Sequence, residues 1–471
     1  MNQKIKELGK NTTIFAVSLF LSKLVSSLLV PLYTRTLTTE QYGIADLVTT
    51  ISHFIVPICS LSIHESVFRF CLDSKNDKNQ IIRCGIIISW VASIVMIIVG
   101  FMTRIYAPIA QWSVYLILIS IMTMSRNILS LYTEAIGKVM LFGIDSIVCN
   151  FVLGVANIVL LAGFSLEVHG YFCAMIISLA SSILLLLLKT RVSLLPHFEQ
   201  RDLKTIKLML SYSAPLILNS ISWILMGMID RLMLTSMYSS GANGIYAVAT
   251  KIPTLLTILT SVFTQAWGLS LVKDYDFEKD ERFYNNVFDI FHLIALLGTN
   301  CILLFTNNIF KMIIGNEFSD SVQYIAVLMI GTVFLTYINF YSPVYSAAKK
   351  PSRIAISSLV GLVLNILLNV VLIPQHGIMG ACIATTGSYI LICIYRMIDC
   401  KKYVSLDFSK AKWITSMILI IIQCVFVTVH KYDLIVSIAT IITICIFYFE
   451  QLKRLCTFVL NHIGKMSDKR R

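Results

Sequence analysis

Charged side chains are scarce in this chain. They make up 13% of its 471 residues against 57% hydrophobic ones, and the mean hydropathy of +0.81 is not that of a soluble protein. No soluble domain is expected. Metal and nucleotide motifs are missing as well. The eight histidines form no H-E-x-x-H pattern, and no G-x-x-x-x-G-K-[ST] loop occurs, so no ATPase is expected within the chain. The 12 cysteines form no C-x-x-C pair. Scattered mostly through apolar segments, as at Cys59, Cys149, Cys173, Cys301, Cys382 and Cys393, they read as small buried hydrophobes rather than disulfides or metal ligands.

What is present is length of apolar sequence. Fourteen apolar segments run through residues 12–33, 42–63, 84–103, 112–133, 144–164, 170–188, 211–235, 244–270, 286–306, 321–346, 353–373, 377–398, 412–430 and 432–450. Most reach the ~20 residues that a helix needs to cross a bilayer. Lys4, Lys6 and Lys10 precede the first segment in the manner of a signal peptide. That segment is of spanning length and lacks a small-residue cleavage site, so it reads as the first membrane helix. The expected fold is therefore all-α, a polytopic membrane protein of about 14 transmembrane helices.

The loops carry charge on one side only. If Met1 lies in the cytoplasm, cytoplasmic segments hold 30 of the 38 Lys and Arg residues, and the outer loops hold four: Arg35, Arg104, Lys311 and Lys431. This is a strong positive-inside asymmetry; it places both termini in the cytoplasm. It also explains the formal net charge of +13 as topology, and no nucleic-acid partner is expected.

The four remaining cations, Lys23, Arg126, Arg231 and Lys251, lie inside apolar segments, where a charge is costly and marks function. Arg126 lies toward the cytoplasmic half of its span, Lys23 near mid-span, and Arg231 and Lys251 toward outer ends. Such a ladder suits a phosphate or pyrophosphate cargo, because Arg offers a forked set of donors and Lys a point charge. The bland reading is partnered structural charge. Glu134 shares a face with Arg126 by way of Ser130, Asp46 lies in span 2, and Asp230 adjoins Arg231 as a candidate outer gate. Glu65 and Arg69, four apart at the end of span 2, read as an ion pair or an inner gate.

Two polar stripes accompany the cations. Asp46, Thr50, His53, Pro57, Ser60 and His64 fall at helical spacing in span 2, and Thr250, Thr254, Thr257, Ser261 and Thr264 do so in span 8. The residues Gly, Ile, Thr and Ile recur between 42–51 and 243–252 at a constant offset of 201. Spans 1 and 7 run in the same direction, so the halves read as parallel repeats about an axis along the membrane normal. The expected organisation is an N-terminal six-helix bundle (1–188), a basic cytoplasmic linker (189–210), a C-terminal six-helix bundle (211–399), and two further helices with a basic tail (400–471). The paired stripes then suggest a shared central cavity. Interhelical bonding by Ser and Thr is the bland alternative. Asp46, Asp230 or His53 would suit a coupling Na⁺ or H⁺.

The later spans carry a resemblance. Asn365 and Asn369, then Leu372-Ile373-Pro374, Gly377, Gly380-Ala381 and Ala384-Thr385, resemble a stretch of bacterial polysaccharide repeat-unit flippases of the Wzx type. These belong to the superfamily of multidrug-and-toxin exporters and the lipid II flippase. Pro31 to Gly43, Asp230-Arg231 and Gly244-Ile245-Tyr246 look familiar in the same way. The resemblance covers nearly the whole chain. It implies a non-enzymatic transporter in the bacterial cytoplasmic membrane that flips a polyprenyl-pyrophosphate-linked glycan for O-antigen or capsule synthesis. Rocking of the two halves would drive it, with no cofactor beyond a coupling ion. Polysaccharide polymerase and chain-length machinery are the implied protein partners.

Three other readings compete. An exporter of drugs or metabolites with the same fold would place acids in its path, and the buried cations argue against it. A lipid II or teichoic-acid precursor flippase is the reading hardest to separate. A membrane polymerase or glycosyltransferase would need a large outer loop or an acidic catalytic motif.

Overall fold

The computed structural model describes residues 25, 28–73, 77–193, 199, 202–213, 217–273, 281–348, 350–404, 410–429 and 433–453. Among the described residues every regular element is a helix. The longer ones are α1 (Val30–Thr36), α2 (Thr39–Cys59), α3 (Ile63–Leu72), α4 (Lys78–Met102), α5 (Ser113–Ala135), α6 (Val139–Asn157), α7 (Glu167–Thr190) and α8 (Asp202–Ser213). They continue with α9 (Ile217–Met237), α10 (Ser240–Lys273), α11 (Glu281–Phe305), α12 (Val322–Ala347), α13 (Pro351–Asp399), α14 (Lys410–Val429) and α15 (Asp433–Phe447). Ten helical segments among the described residues are long and apolar enough to cross a membrane. One of them, Ser352–Lys402, is 51 residues long and has two arms. Gly377 breaks it with φ 54° and ψ −127°, a conformation open to glycine. A Cβ on Gly380 would lie 2.3 Å from the Leu372 carbonyl oxygen, so the arms meet at this turn because position 380 has no side chain.

Local chemistry explains the boundaries. Thr38 caps α2 through a capping box with Gln41: its hydroxyl accepts from the Gln41 N–H, and the Gln41 side chain accepts from the Thr38 N–H. The expected span 2 is cut short. Pro57 lies in the last turn of α2, and Leu61 and Ser62 adopt left-handed backbone at φ 50° and 49°. His64, Glu65 and Arg69 therefore belong to a separate helix, α3, and the polar stripe does not run unbroken to His64.

The described residues group into two compact units. The first holds 1–248, Gly315–Phe318 and Ile366–Ala381; the second holds Ala249–Ile314, Ser319–Asn365 and 382–471. In the first, Leu47, Val48, Ile63, Val67 and Phe172 form a core with almost no exposure. Within this unit, helix α8 is anchored to α4. Arg83 forks onto the fully buried Asp202, with Nε to Oδ2 at 3.1 Å and Nη2 to Oδ1 at 2.9 Å, and its Nη1 reaches Glu199 at 2.8 Å. Gln80 and the Glu199 N–H also donate to Asp202. Burial raises the Asp202 carboxyl, but the hydrogen bond from Arg83, aided by Glu199 N–H and Gln80, outweighs it and holds the group below its ordinary 3.8.

The second unit is packed by aromatics. Trp267 stacks on Phe340 at 5.2 Å, and Phe288 and Phe291 meet Phe340 and Tyr337. The last two helices are bonded by polar pairs to α11 and to the turn Thr306–Phe310 that follows it. His292 joins Ser416 at 3.2 Å, Thr440 donates to Asn300 at 2.9 Å, and Asn307 donates to Asp433 at 2.8 Å. By its closeness to Lys401 and Lys402, Arg396 reads as part of a cytoplasmic loop. In the structure it is 1% exposed. Its guanidinium donates to Ser357 Oγ, Ser342 Oγ, Ser358 Oγ and the carbonyls of Ile338 and Ile354, which ties the two ends of α13 to each other and to α12.

Two outcomes follow from these anchors. Arg396→Ala forfeits five hydrogen bonds; at about 0.6 kcal/mol each within a membrane bundle, that is about 3 kcal/mol. The detergent-solubilised variant should melt several degrees lower by intrinsic fluorescence, with Arg396→Lys recovering only part. An unchanged melting point would refute the assignment. For Asp202, the lowered carboxyl contributes stability at every pH above the ordinary value, lost only as pH falls through the lower folded one. Limited proteolysis of the linker should be constant from pH 8 to 5 in the wild type and faster throughout in Asp202→Asn. Faster cleavage of the wild type already at pH 5 would contradict this.

Candidate functional site

The candidate residues of the first unit come from α2, α5, α9 and the first turns of α10. Arg231 on α9 donates from Nε to Asp46 Oδ2 on α2 at 2.6 Å and from Nη1 to the Gly227 carbonyl at 2.7 Å. Its guanidinium also lies 5.7 Å from the centroid of the Tyr246 ring. The adjacent Asp230 does not pair with it. Neighbours in sequence on a helix point about 100° apart, and Asp230 instead accepts from Tyr246 Oη at 2.7 Å and from Asn369 Nδ2 at 2.5 Å. The structure thus replaces an Asp230–Arg231 pair with two interlocked ones.

Arg126 on α5 is neutralised by a different acid from the one expected. Its Nη2 donates to Asp145 on α6 at 2.9 Å and its Nε to Ser182 on α7 at 2.8 Å. Ser182 also donates to Asp145. Glu134, two turns further along α5, takes no part in that pairing. The Arg126 side chain keeps 21% of its exposure, and among the described residues its Nη1 makes no hydrogen bond.

Lys23 lies outside the described residues. Lys251 and Thr250 are half-buried on α10. On α2, Thr50 is half-buried, His53 is exposed, and Ser60 is buried with its hydroxyl on the Val56 carbonyl. On α10, Thr254, Thr257, Ser261 and Thr264 each donate to a carbonyl three residues back on their own helix. Their donors are satisfied within the helix and their lone pairs remain available. Among the described residues no ion pair joins Glu65 to Arg69; Glu65 instead lies 3.8 Å from His64. Burial lowers the His64 imidazole to about 4, and burial raises the Glu65 carboxyl.

Sequence reasoning missed Asp145, Ser182 and Arg396. The signal for the first was available: Asp145 is a carboxylate inside an apolar span, and the same cost that singled out the cations applies to it. Among the described residues no group of three or more His, Cys, Asp or Glu could hold a metal ion.

Comparison with known proteins matches residues 8–268 to the model of the polysaccharide biosynthesis protein family. The chain belongs to this family. One curated relative is the probable low-salt glycan biosynthesis flippase Agl15 of Haloferax volcanii, 23% identical over 48% of this chain and 49% of that protein. Another, the uncharacterized membrane protein MJ1375 of Methanocaldococcus jannaschii, is 29% identical over 41% of this chain and 47% of its own length. The chain spans about half the length of these relatives. Among solved structures, the lipid II flippase MurJ in an inward closed conformation aligns with a TM-score of 0.71 at 13% identity, over 93% of this chain and all of the other. An inward-facing multidrug resistance MATE transporter aligns with a TM-score of 0.64 at 13% identity, over 81% and 94%. The family member therefore has the fold shared by these transporters.

Removing one partner of the Arg126 cluster should expose its role in stability. Asp145→Leu leaves a half-buried guanidinium uncompensated and should cost about 3 kcal/mol, whereas the double variant Arg126→Met/Asp145→Leu should recover most of it. Thermal unfolding of the three purified variants measures this. Equal melting of the single variant and wild type would show that the pair is not structural.

Proposed function

We propose that this protein flips a polyprenyl-pyrophosphate-linked oligosaccharide repeat unit from the inner to the outer leaflet of a bacterial cytoplasmic membrane for surface polysaccharide synthesis. The observation that carries the reading is membership of the polysaccharide biosynthesis family, matched over residues 8–268. That segment contains Arg126, Asp46, Arg231 and Lys251. The Agl15 description and the MurJ-like fold support the same class of cargo.

The chain then acts as a transporter and not as an enzyme. Both termini are cytoplasmic, and access alternates between the two sides. Arg126 is the cation best suited to phosphate. Asp145 and Ser182 hold one edge of its guanidinium, and Nη1 is left to donate to an anionic oxygen. A Na⁺ or H⁺ gradient drives the cycle, with His53, Asp46 or Asp230 as the residue that takes up the ion. The polymerase and chain-length machinery would receive the product. A second reading, export of a soluble drug or metabolite, is favoured by the likeness of the fold to multidrug transporters. The buried arginines weigh against it for cationic drugs.

Deletion of the gene tests the proposal. Surface glycan should be lost, with intact lipid-linked precursor held on the cytoplasmic leaflet. Complementation with Arg126→Ala should restore at most a small fraction of display at normal protein level. Precursor that reaches the outer leaflet unpolymerised would point to a polymerase instead. Unchanged glycan with altered drug sensitivity would point to an exporter.

A further inference from the structure

Two segments that the 201-residue offset relates by repeat touch each other in the first unit. A Cβ built on Gly43 would lie 1.8 Å from the Ser240 carbonyl oxygen, and one built on Gly244 would lie 2.0 Å from the Thr39 carbonyl oxygen. Adding 201 converts Thr39 to Ser240 and Gly43 to Gly244. The contact is therefore reciprocal, as it must be where an axis relating two copies passes through an interface. The first turns of α2 and α10 cross backbone to backbone, and only glycine at both positions permits the approach.

Hydrogen bonds surround the crossing. Asn243 donates to the Gly43 carbonyl at 2.7 Å. One turn below, Asp46 takes Arg231; beside it Asp230 takes Tyr246 and Asn369. Tyr238 donates to the Ile373 carbonyl at 2.9 Å, which fastens the turn at Gly377. The Gly315 N–H donates to Thr34 at 3.1 Å, and the fully buried Phe318 meets the Tyr42 ring edge-on at 5.9 Å. The charge asymmetry assigns all of these turns to the outer side of the membrane. The symmetry covers the crossing but not the latch: the position related to Asp46 is Ala247, and that related to Arg231 is Val30.

We propose that this glycine crossing is the movable outer seal of the transporter, held shut by a single latch of Asp46 with Arg231 and Asp230 with Tyr246 and Asn369. Arg231 is on this view a gate residue and not a contact for the cargo. The inference rests on the transporter reading above, but not on which cargo is carried. A seal must part in every cycle; a pivot of the same geometry would stay closed.

Cross-linking separates the two. A Cβ on Gly241 would lie 3.2 Å from Thr39 Oγ1, close to the distance a disulfide sets between one sulfur and the far Cβ. Thr39→Cys/Gly241→Cys should oxidise readily, with Glu40 swinging aside, in a background where exposed Cys301 is replaced by alanine. Oxidation should lower transport by about tenfold or more, as expected when a required conformational step is blocked, and reduction should restore it. Full transport by the cross-linked protein would overturn the proposal.

A readout independent of cargo keeps the two readings distinguishable. In cells, labelling of Thr39→Cys by a membrane-impermeant maleimide should rise severalfold when Gly43→Ala, Gly244→Ala or Asp46→Asn is added, because each wedges or unlatches the seal. If all three reach wild-type levels in the membrane and none changes labelling, the seal is refuted even where flipping is intact. If labelling responds but no lipid-linked glycan moves, the seal stands and the choice of cargo falls.

Discussion

A charge carried into an apolar medium must be answered from within the protein, and this constraint shapes the molecule more than any other. Three arginines answer it in different ways. Arg396 spends its whole guanidinium on serine hydroxyls and backbone carbonyls, and it has no carboxylate partner among the described residues. Arg231 takes one acid from another helix and one carbonyl from its own. Arg126 takes one acid and one hydroxyl and leaves an edge unused. Among the described residues both Arg126 and Arg231 keep N–H groups unspent and part of their surface exposed, 21% and 15%. Position along the chain would have grouped the three together. Their hydrogen bonding sets Arg396 apart as a staple; placement beside the glycine crossing, not donor count, distinguishes the proposed latch Arg231 from Arg126 as a candidate ligand for anions.

The distinction between staple and latch is one of energy as well as placement. A salt bridge inside a bilayer has lost its water in both charges, so it is strong only while the partners stay together. Arg396 joins α12 to the two ends of α13 through five hydrogen bonds. Asp46 and Arg231 sit beside a backbone contact that contains almost no side-chain volume. Glycine crossings gain little burial for the area they cover, and the polar pairs around them supply the closing force. A contact built that way can be undone at moderate cost.

Much of this was legible in the sequence. The all-helical membrane fold followed from the apolar segments, and the turn after Pro374 followed from Gly377. The offset of 201 pairs the two glycines that meet at the crossing. What pattern alone did not reveal was pairing. Asp230 next to Arg231 looks like a couple on paper, yet adjacent residues on a helix diverge, and each found its partner on another element. Glu134 shares the face of Arg126, but Asp145 reached it first from the neighbouring helix. Arg396 was masked by its closeness to Lys401 and Lys402, because a loop rich in cations absorbs a nearby arginine in any count. The helical stripe through His64 failed for a local reason. Spacing extrapolates a helix through residues whose backbone has already turned left-handed.

The hydroxyls on α10 bear on the proposed cargo. Each of Thr254, Thr257, Ser261 and Thr264 commits its proton to a carbonyl of its own helix. That satisfies the donor without help from lipid or water and leaves a row of acceptors at helical spacing. A surface of acceptors discriminates by what it meets. An oligosaccharide carries a donor on every hydroxyl and pairs with such a row. A pyrophosphate carries only acceptors near neutral pH and gains nothing from it. On the proposed reading, a cargo that joins the two chemistries would draw on both an acceptor row and a cation with free N–H groups. For a purely apolar drug neither feature would have a use.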